Sequence, residues 1–283
     1  MKNKLYLFVI VLSATLLTSC DSMEKDVDVP ASQPKLVVYS YISPDEDSVK
    51  VWVTQSVPLY TTHPLFSNQY PPISDASVTI SDGTQSYPLQ FSAAIGQYFT
   101  TDFQPQSGAT YSLEVSTSRN QKVTARCTVP TQAPPTVEMV SIEWEHSYGY
   151  VRAVTFKIKD GEGSGNYYRV VASVKYSYFG TDEGFYNTIY FDKGEEFISD
   201  NAKDGSYFTY QTEAILPDPS ATIKLKISTS AIDEHYFNYH RSINAYQDDN
   251  PFSEPTPVYS NINGGLGVFA TYRNSITEID LGR

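Results

Sequence analysis

The sequence predicts an all-β protein built from two β-sandwich domains, with one amphipathic helix near the C-terminus. Three observations carry this. Short runs of alternating apolar and polar residues recur along the chain, with turn residues between them. Aromatic residues, which fit a pleated, half-buried surface, are abundant, Tyr alone occurring 23 times. The 17 Pro and 15 Gly supply the punctuation that short strands require. Strand runs of this kind, about seven of them before Pro130, form the pattern of an immunoglobulin/fibronectin-like sandwich.

The elements follow in order. Residues 35–42 (KLVVYSYI) and 48–54 (SVKVWVT) flank the turn cluster Pro44-Asp-Glu-Asp47. In the second run Val49, Val51 and Val53 point one way, while Lys50, Trp52 and Thr54 point the other. Residues 75–81 end at Asp82-Gly83, a strong hairpin signal. Runs at 96–101, 109–116 and 122–129 complete a first sandwich over 35–130. Residues 58–73 interrupt it with Pro58, Pro64, Pro71 and Pro72, and a loop of that length in a compact domain is functional or mobile.

Residues 131–135 (TQAPP) read as a linker. Strand runs at 137–144, 151–158, 166–174, 207–212 and 221–228 then build a second sandwich over 136–283, with the Gly- and acid-rich stretch 181–206 as an insertion. A helix is expected at about 231–247, capped by Ser230, with Asp233 and Glu234 in its first turn, where the helix dipole favours negative charge. Ile232, Tyr236, Tyr239 and Ile243 make its apolar stripe. Gly264, Gly265 and Gly267 superficially suggest a phosphate loop. Leu266 to Tyr272 reads as a strand and not as the helix such a loop must open, so a tight turn or bulge is expected there.

The N-terminus carries an address. Lys2 and Lys4 precede an apolar run over residues 5–17, shorter than the roughly 20 residues of a spanning helix. Residues 1–19 therefore read as a signal peptide. Leu17-Thr18-Ser19-Cys20 resembles the lipobox of bacterial lipoproteins, in which the cysteine receives a diacylglyceryl group. One acyl chain binds a membrane only marginally, whereas two or three on Cys20 would hold the chain permanently. The segment 20–34 is then a lipidated cysteine with an acidic tether. Its residues from Asp21 to Pro34 would reach roughly 45 Å drawn out, or about 20 Å as a flexible coil. Asp21, Glu24, Asp26 and Asp28 resemble the acidic export tag that moves Bacteroidota lipoproteins to the outer leaflet. The expected location is the outer membrane at the cell surface, with the periplasmic face as the alternative.

Composition narrows the chemistry. The formal charge of −12, two units more negative once Lys2 and Lys4 leave with the signal, repels nucleic acid. Cys127 is the only cysteine besides Cys20, so with Cys20 acylated no intrachain disulfide forms; its strand context predicts a buried, inert thiol. Catalytic motifs such as Gly-x-Ser-x-Gly, His-Glu-x-x-His and Cys-x-x-Cys do not occur. His63, His146, His235 and His240 are dispersed, with His235 and His240 spaced wrongly for zinc on one helix face. No catalytic residue and no cofactor is assigned. Asp160-Gly-Glu-Gly-Ser-Gly-Asn166 spaces oxygen side chains at alternate positions, like a short calcium loop, but lacks the closing bidentate acid. A polar turn is expected, with Asp160, Glu162 and Asn166 as the calcium alternative. Loop aromatics, above all Tyr60, Phe66 and Tyr70, are the candidate binding surface for a glycan or other nutrient ligand, together with Gly264, Gly265 and Gly267. Tyr148, Tyr150, Tyr176, Tyr178, Phe179, Phe185 and Tyr186 are further aromatics of this kind, most of them expected in cores.

The lipobox, the acidic tether, the Pro34-Lys-Leu-Val-Val-Tyr-Ser-Tyr-Ile42 start and the Ser260-Asn-Ile-Asn-Gly-Gly-Leu-Gly-Val-Phe269 ending together resemble a Bacteroidota outer-membrane lipoprotein family of unknown function, often encoded beside TonB-dependent receptors. The resemblance implies a non-enzymatic accessory role in ligand capture by such a receptor. A stand-alone adhesin or glycan-binding lipoprotein is the second expectation, and an extracytoplasmic hydrolase the third.

Overall fold

The computed structural model describes residues 33–57, 71–145, 150–178, 181, 184–200, 204–216, 218, 220–246 and 257–282. Cys20, Tyr60, Phe66, Tyr70, Tyr148 and Phe179 lie outside the described residues.

Alternation writes the first sandwich. Leu36, Val38 and Ile42 of β1 (Leu36–Ile42) and Val49, Val51 and Val53 of β2 (Val49–Gln55) turn inward and are buried. They meet inward residues of β3 (Ser77–Ser81), β4 (Ser86–Ser92), β5 (Gln97–Thr100), β6 (Thr110–Ser116) and β7 (Lys122–Thr128) in one core. Each such aliphatic side chain contributes on the order of 1.5–3 kcal/mol when fully buried. Cys127 sits in that core as a free thiol, and burial pushes its pKa well up, away from the reactive thiolate. The strands pair antiparallel in the order β1-β2-β5-β4-β3-β6-β7. At the β3–β4 turn, Asp82 Oδ1 accepts from the amides of Thr84 (2.8 Å) and Gln85 (2.7 Å). These bonds favour the ionised form and hold the carboxyl at about 2, while Gly83 takes φ +90°.

The second sandwich has two layers. One is the sheet β12-β14-β9-β8; the other is the run β11-β10-β15-β16. They comprise β8 (Val137–Glu145), β9 (Tyr150–Lys159), β10 (Tyr167–Tyr178), β11 (Gly184–Ile189), β12 (Phe191–Lys193), β14 (Tyr207–Thr212), β15 (Ala221–Ile232) and β16 (Leu266–Gly282). Between the layers lie Val154, Phe156, Ile158, Val170, Ala172, Val174, Tyr210, Leu225 and Ile227. The stretch 181–206 is no detached insertion. β11 and a further short strand, β13 (Phe197–Ser199), pair with β10, and β12 pairs with β14. Gly194 and Glu195 fall in the turn between β12 and β13, while Phe191 and Ile189 pack on the core.

One strand joins the two halves. The first part of β16 pairs parallel with β1, Val37↔Leu266 through Ile42↔Thr271, so it completes the first sandwich. The second part pairs antiparallel with β15, Ile232↔Tyr272 through Ile223↔Gly282. The strand read from the sequence stops at Tyr272; the real one runs on to Gly282 because β15 offers a long partner edge. The linker is fastened as well. Arg273 Nη1 donates to the carbonyls of Thr131 (3.0 Å) and Gln132 (2.8 Å), and Thr229 Oγ1 donates to Pro135 O (2.7 Å). Accordingly, the described residues from Lys35 onward belong to one compact unit.

The helix α1 (Glu234–Ala245) lies over this seam. Its cap is Asp233 and not Ser230, because Ser230 remains inside β15 and donates to Asn274 Oδ1 at 3.1 Å. Its buried residues are Tyr236, Phe237 and Tyr239, whereas Ile243, expected on the buried stripe, is 41 % exposed. The floor beneath consists of Val268 and Ala270 of β16 with Tyr39 and Tyr41 on the outer side of β1. Among the described residues no helix is long and apolar enough to cross a membrane.

Candidate functional site

The glycine motif is a packing device. Gly267 is buried with φ +107°, and a Cβ there would collide with the backbone of Val38, its partner on β1. A Cβ on Gly265 would lie 2.7 Å from Leu36 O and 2.9 Å from Val123 Cγ1. Gly264, at φ +82°, faces Lys122 O. Only glycine lets β16 enter between β1 and β7 this closely. Asn261 completes the lock: its Nδ2 donates to Arg126 O (3.1 Å) and Phe269 O (2.8 Å), and its Oδ1 accepts from Phe269 N (3.0 Å). Among the described residues no strand directly precedes the glycines, and they lead into strand β16 where a phosphate loop would open a helix.

The aromatic residues divide into three sets. Tyr60, Phe66 and Tyr70 lie outside the described residues; at Pro71, just after them in sequence, the carbonyl accepts from Thr54 Oγ1 (3.1 Å). A second set is internal. Tyr39, Tyr41, Tyr167, Phe197, Tyr236, Phe237, Tyr239 and Tyr272 gather under the helix, with His240 stacked 4.7 Å from Tyr236 and 5.2 Å from Phe197. Tyr41 Oη lies 3.1 Å from His240 Nε2, and Arg169 Nη1 donates to Tyr236 Oη at 3.1 Å. Burial and the neighbouring Arg169 cation push His240 down to about 4, so the ring beside the Tyr41 hydroxyl is neutral. These rings pack directly against one another beneath the helix. His235 sits apart and pairs with Tyr259 Oη (2.7 Å). A third set is at the surface. Tyr176 and Tyr178 bond to Leu216 O and Asp218, Tyr186 covers Lys226 at 4.2 Å, and Phe185 and Tyr190 are 84 % and 73 % exposed.

A run of apolar exposure follows β8. This strand ends its sheet, and Met139 (42 %), Val140 (53 %), Ile142 (37 %) and Trp144 (41 %) are all exposed. Soluble proteins blunt free edge strands with charge, Pro or a covering segment; β8 carries Glu138, Glu143 and Glu145 but presents apolar side chains between them.

The Asp160–Asn166 turn acquires partners the sequence does not place beside it. Oxygens of Asp160, Asp200 and Asp204 lie within 4.8 Å of one another, the one grouping of three or more metal-ligating side chains among the described residues. Asp160 follows β9, Asp200 follows β13, and Asp204 leads into β14, so topology gathers them. Asn166 belongs to the shell, its Nδ2 donating to Gly163 O at 2.7 Å. Glu162 enters only through its backbone carbonyl, which accepts from Gln132 Nε2 (3.1 Å). The acid missing from the linear motif is supplied by a loop some 40 residues along the chain, which no local spacing rule detects.

Comparison with known proteins adds a family and a weak structural likeness. The chain matches a family described as a domain of unknown function, DUF4249, over residues 24–278. No curated protein matches it. Among solved structures it is similar to a two fibronectin type-III domain segment from chicken tenascin, at 11 % identity and a TM-score of 0.21, covering 71 % of this chain and 92 % of that one. The sandwich architecture stands on the strand pairing above.

Proposed function

We propose, from the premise that the chain belongs to the DUF4249 family, that it is a non-enzymatic binding module, held at the outer membrane through Cys20 and assisting a TonB-dependent receptor in ligand capture. The observation that carries the binding role is β8, which ends its sheet among the described residues with Met139, Val140, Ile142 and Trp144 exposed. An edge of this kind offers unpaired backbone groups and apolar surface together, which suits a protein partner that covers both. The locked seam between the sandwiches supports the same reading, since a rigid body presents a preorganised face. No enzyme family is indicated by the comparisons. The buried carboxylates at Asp160 and Asp200 accept from loop amides, Asp160 Oδ2 from Gly205 N and Asp200 Oδ1 from Gly165 N and Asn166 N. The receptor and the membrane address come from the lipobox and the family resemblance.

Outer membranes solubilised in detergent test this. The tagged chain is expected to bring down a TonB-dependent receptor, and the double variant Val140→Lys, Trp144→Asp to lose at least tenfold of it while Cys20 lipidation persists. A wild-type chain that never travels with such a receptor overturns the receptor role; an undiminished double variant overturns the edge as its contact. Exposed Phe185 and Tyr190 favour a second reading, a glycan-binding surface protein, because bare aromatic faces stack on sugar rings. That reading requires polysaccharide binding without any receptor, weakened by Phe185→Ala and by changes at Tyr60, Phe66 and Tyr70.

A further inference from the structure

We propose that the second sandwich binds a calcium ion at Asp160, Asp200 and Asp204. Asp160 and Asp200 are 3 % and 4 % exposed, Asp204 is at the surface, and one carboxylate oxygen of each lies within 4.8 Å of the others. Three carboxylates this close, two of them out of water, repel one another and call for a positive charge between them. None of the described basic side chains forms an ion pair with these three acids.

The hydrogen bonds show where the demand is concentrated. Asp160 Oδ1 accepts from Tyr168 Oη (2.8 Å) and Asn166 Nδ2 (3.5 Å), and its Oδ2 accepts from Gly205 N (2.9 Å). Asp204 Oδ1 accepts from Gly163 N (3.0 Å). Asp200 Oδ1 accepts from Gly165 N (2.9 Å) and Asn166 N (3.1 Å), but its Oδ2 is buried without any donor. A buried carboxylate oxygen lacking a partner is rare in native proteins. Here it belongs to one of the three clustered acids, while its sister oxygen is already held by two backbone amides. The remaining partner it calls for is a cation.

The donor set selects the ion. All ligand atoms are oxygens, and no His or Cys joins the cluster, which disfavours zinc and the softer transition metals. Calcium accepts six to eight oxygens in irregular geometry, and exposed Asp204 leaves a side open for water. Magnesium requires a tighter octahedron and keeps most of its own water. An ion here would tie the β9–β10 turn to the β13–β14 loop, close to the linker through the Gln132 contact with Glu162. The proposal does not depend on the receptor reading.

The test uses the full chain in detergent after chelator treatment. Calcium is expected to raise the thermal unfolding temperature and to sensitise terbium luminescence, with a dissociation constant of roughly 10⁻⁴–10⁻³ M, as in extracellular modules. Magnesium at equal concentration is expected to give less than a tenth of the response. Asp200→Asn should abolish the response. Asp204→Asn, at an exposed position that leaves the buried hydrogen bonds in place, should weaken binding at least tenfold and keeps the test valid if Asp200→Asn does not fold. Identical unfolding in calcium and chelator overturns the proposal.

Discussion

Gly267→Ala is expected to lower the stability of the folded body by about 3 kcal/mol, among the largest effects of any single methyl group in this chain. Two costs combine. The residue holds φ +107°, a region that L side chains rarely adopt. The added Cβ would also meet the Val38 backbone, which cannot swing aside as a side chain would. Strand β16 would have to withdraw from β1, and Phe269 and Val268 would loosen in the two cores they enter on either side of it. Gly83→Ala is the control. Its φ of +90° imposes similar strain, but a Cβ there has nothing within 4 Å. It should cost about 1 kcal/mol. Urea unfolding of both variants at one temperature separates the contributions; equal losses would show that close approach to β1 contributes nothing.

That comparison explains why the glycine motif could be recognised but not interpreted from the sequence. Gly264, Gly265 and Gly267 stand out as a pattern, yet their reason is a parallel neighbour, β1, at the other end of the chain. Strands with strict alternation were legible: Val49, Val51 and Val53 turn inward as their spacing predicts. Strand β4 (SYPLQFS) is missed because Pro88 and mixed polarity hide its pattern, although only Leu89 there is buried. The tail of β16 is missed for a related reason, its residues being largely exposed and ordered by pairing with β15 instead of by burial. The helix was legible as an amphipathic run, but not its cap, since Ser230 and Asp233 both suit the role locally and the choice depends on how far β15 extends. The acid cluster was half legible: Asp160 and Asn166 lie in one turn, whereas Asp200 and Asp204 arrive from another loop.

Asp233→Ala should be nearly as damaging as the glycine change, at about 3 kcal/mol, because one carboxylate serves two elements. Its Oδ1 accepts from Tyr236 N (2.8 Å) as the helix cap, and its Oδ2 accepts from Thr271 N (3.0 Å) and Oγ1 (3.1 Å) on β16. Losing the cap costs about 1 kcal/mol, and stranding the fully buried Thr271 amide costs roughly 1–3 kcal/mol more. The same group should set a pH dependence. Burial outweighs these hydrogen bonds and raises Asp233 to about 7 from an ordinary 3.8. The folded state therefore keeps a proton that the unfolded chain releases, so this contribution is complete below about 3.8 and is lost as pH rises through about 7. Across the helix, His240 is held at about 4 against an ordinary 6.5. Its contribution runs the other way: present above about 6.5 and lost as pH falls through about 4. The two slopes oppose each other in the wild-type chain, and single variants should expose each. With Asp233→Asn, which can still cap, stability should climb from pH 4 to 6.5. With His240→Phe, which keeps a ring between Phe197 and Tyr236, it should decline from pH 4 to 7. Denaturant midpoints across that range decide the matter; two variants with parallel pH profiles would mean that neither burial governs the proton equilibria of the seam.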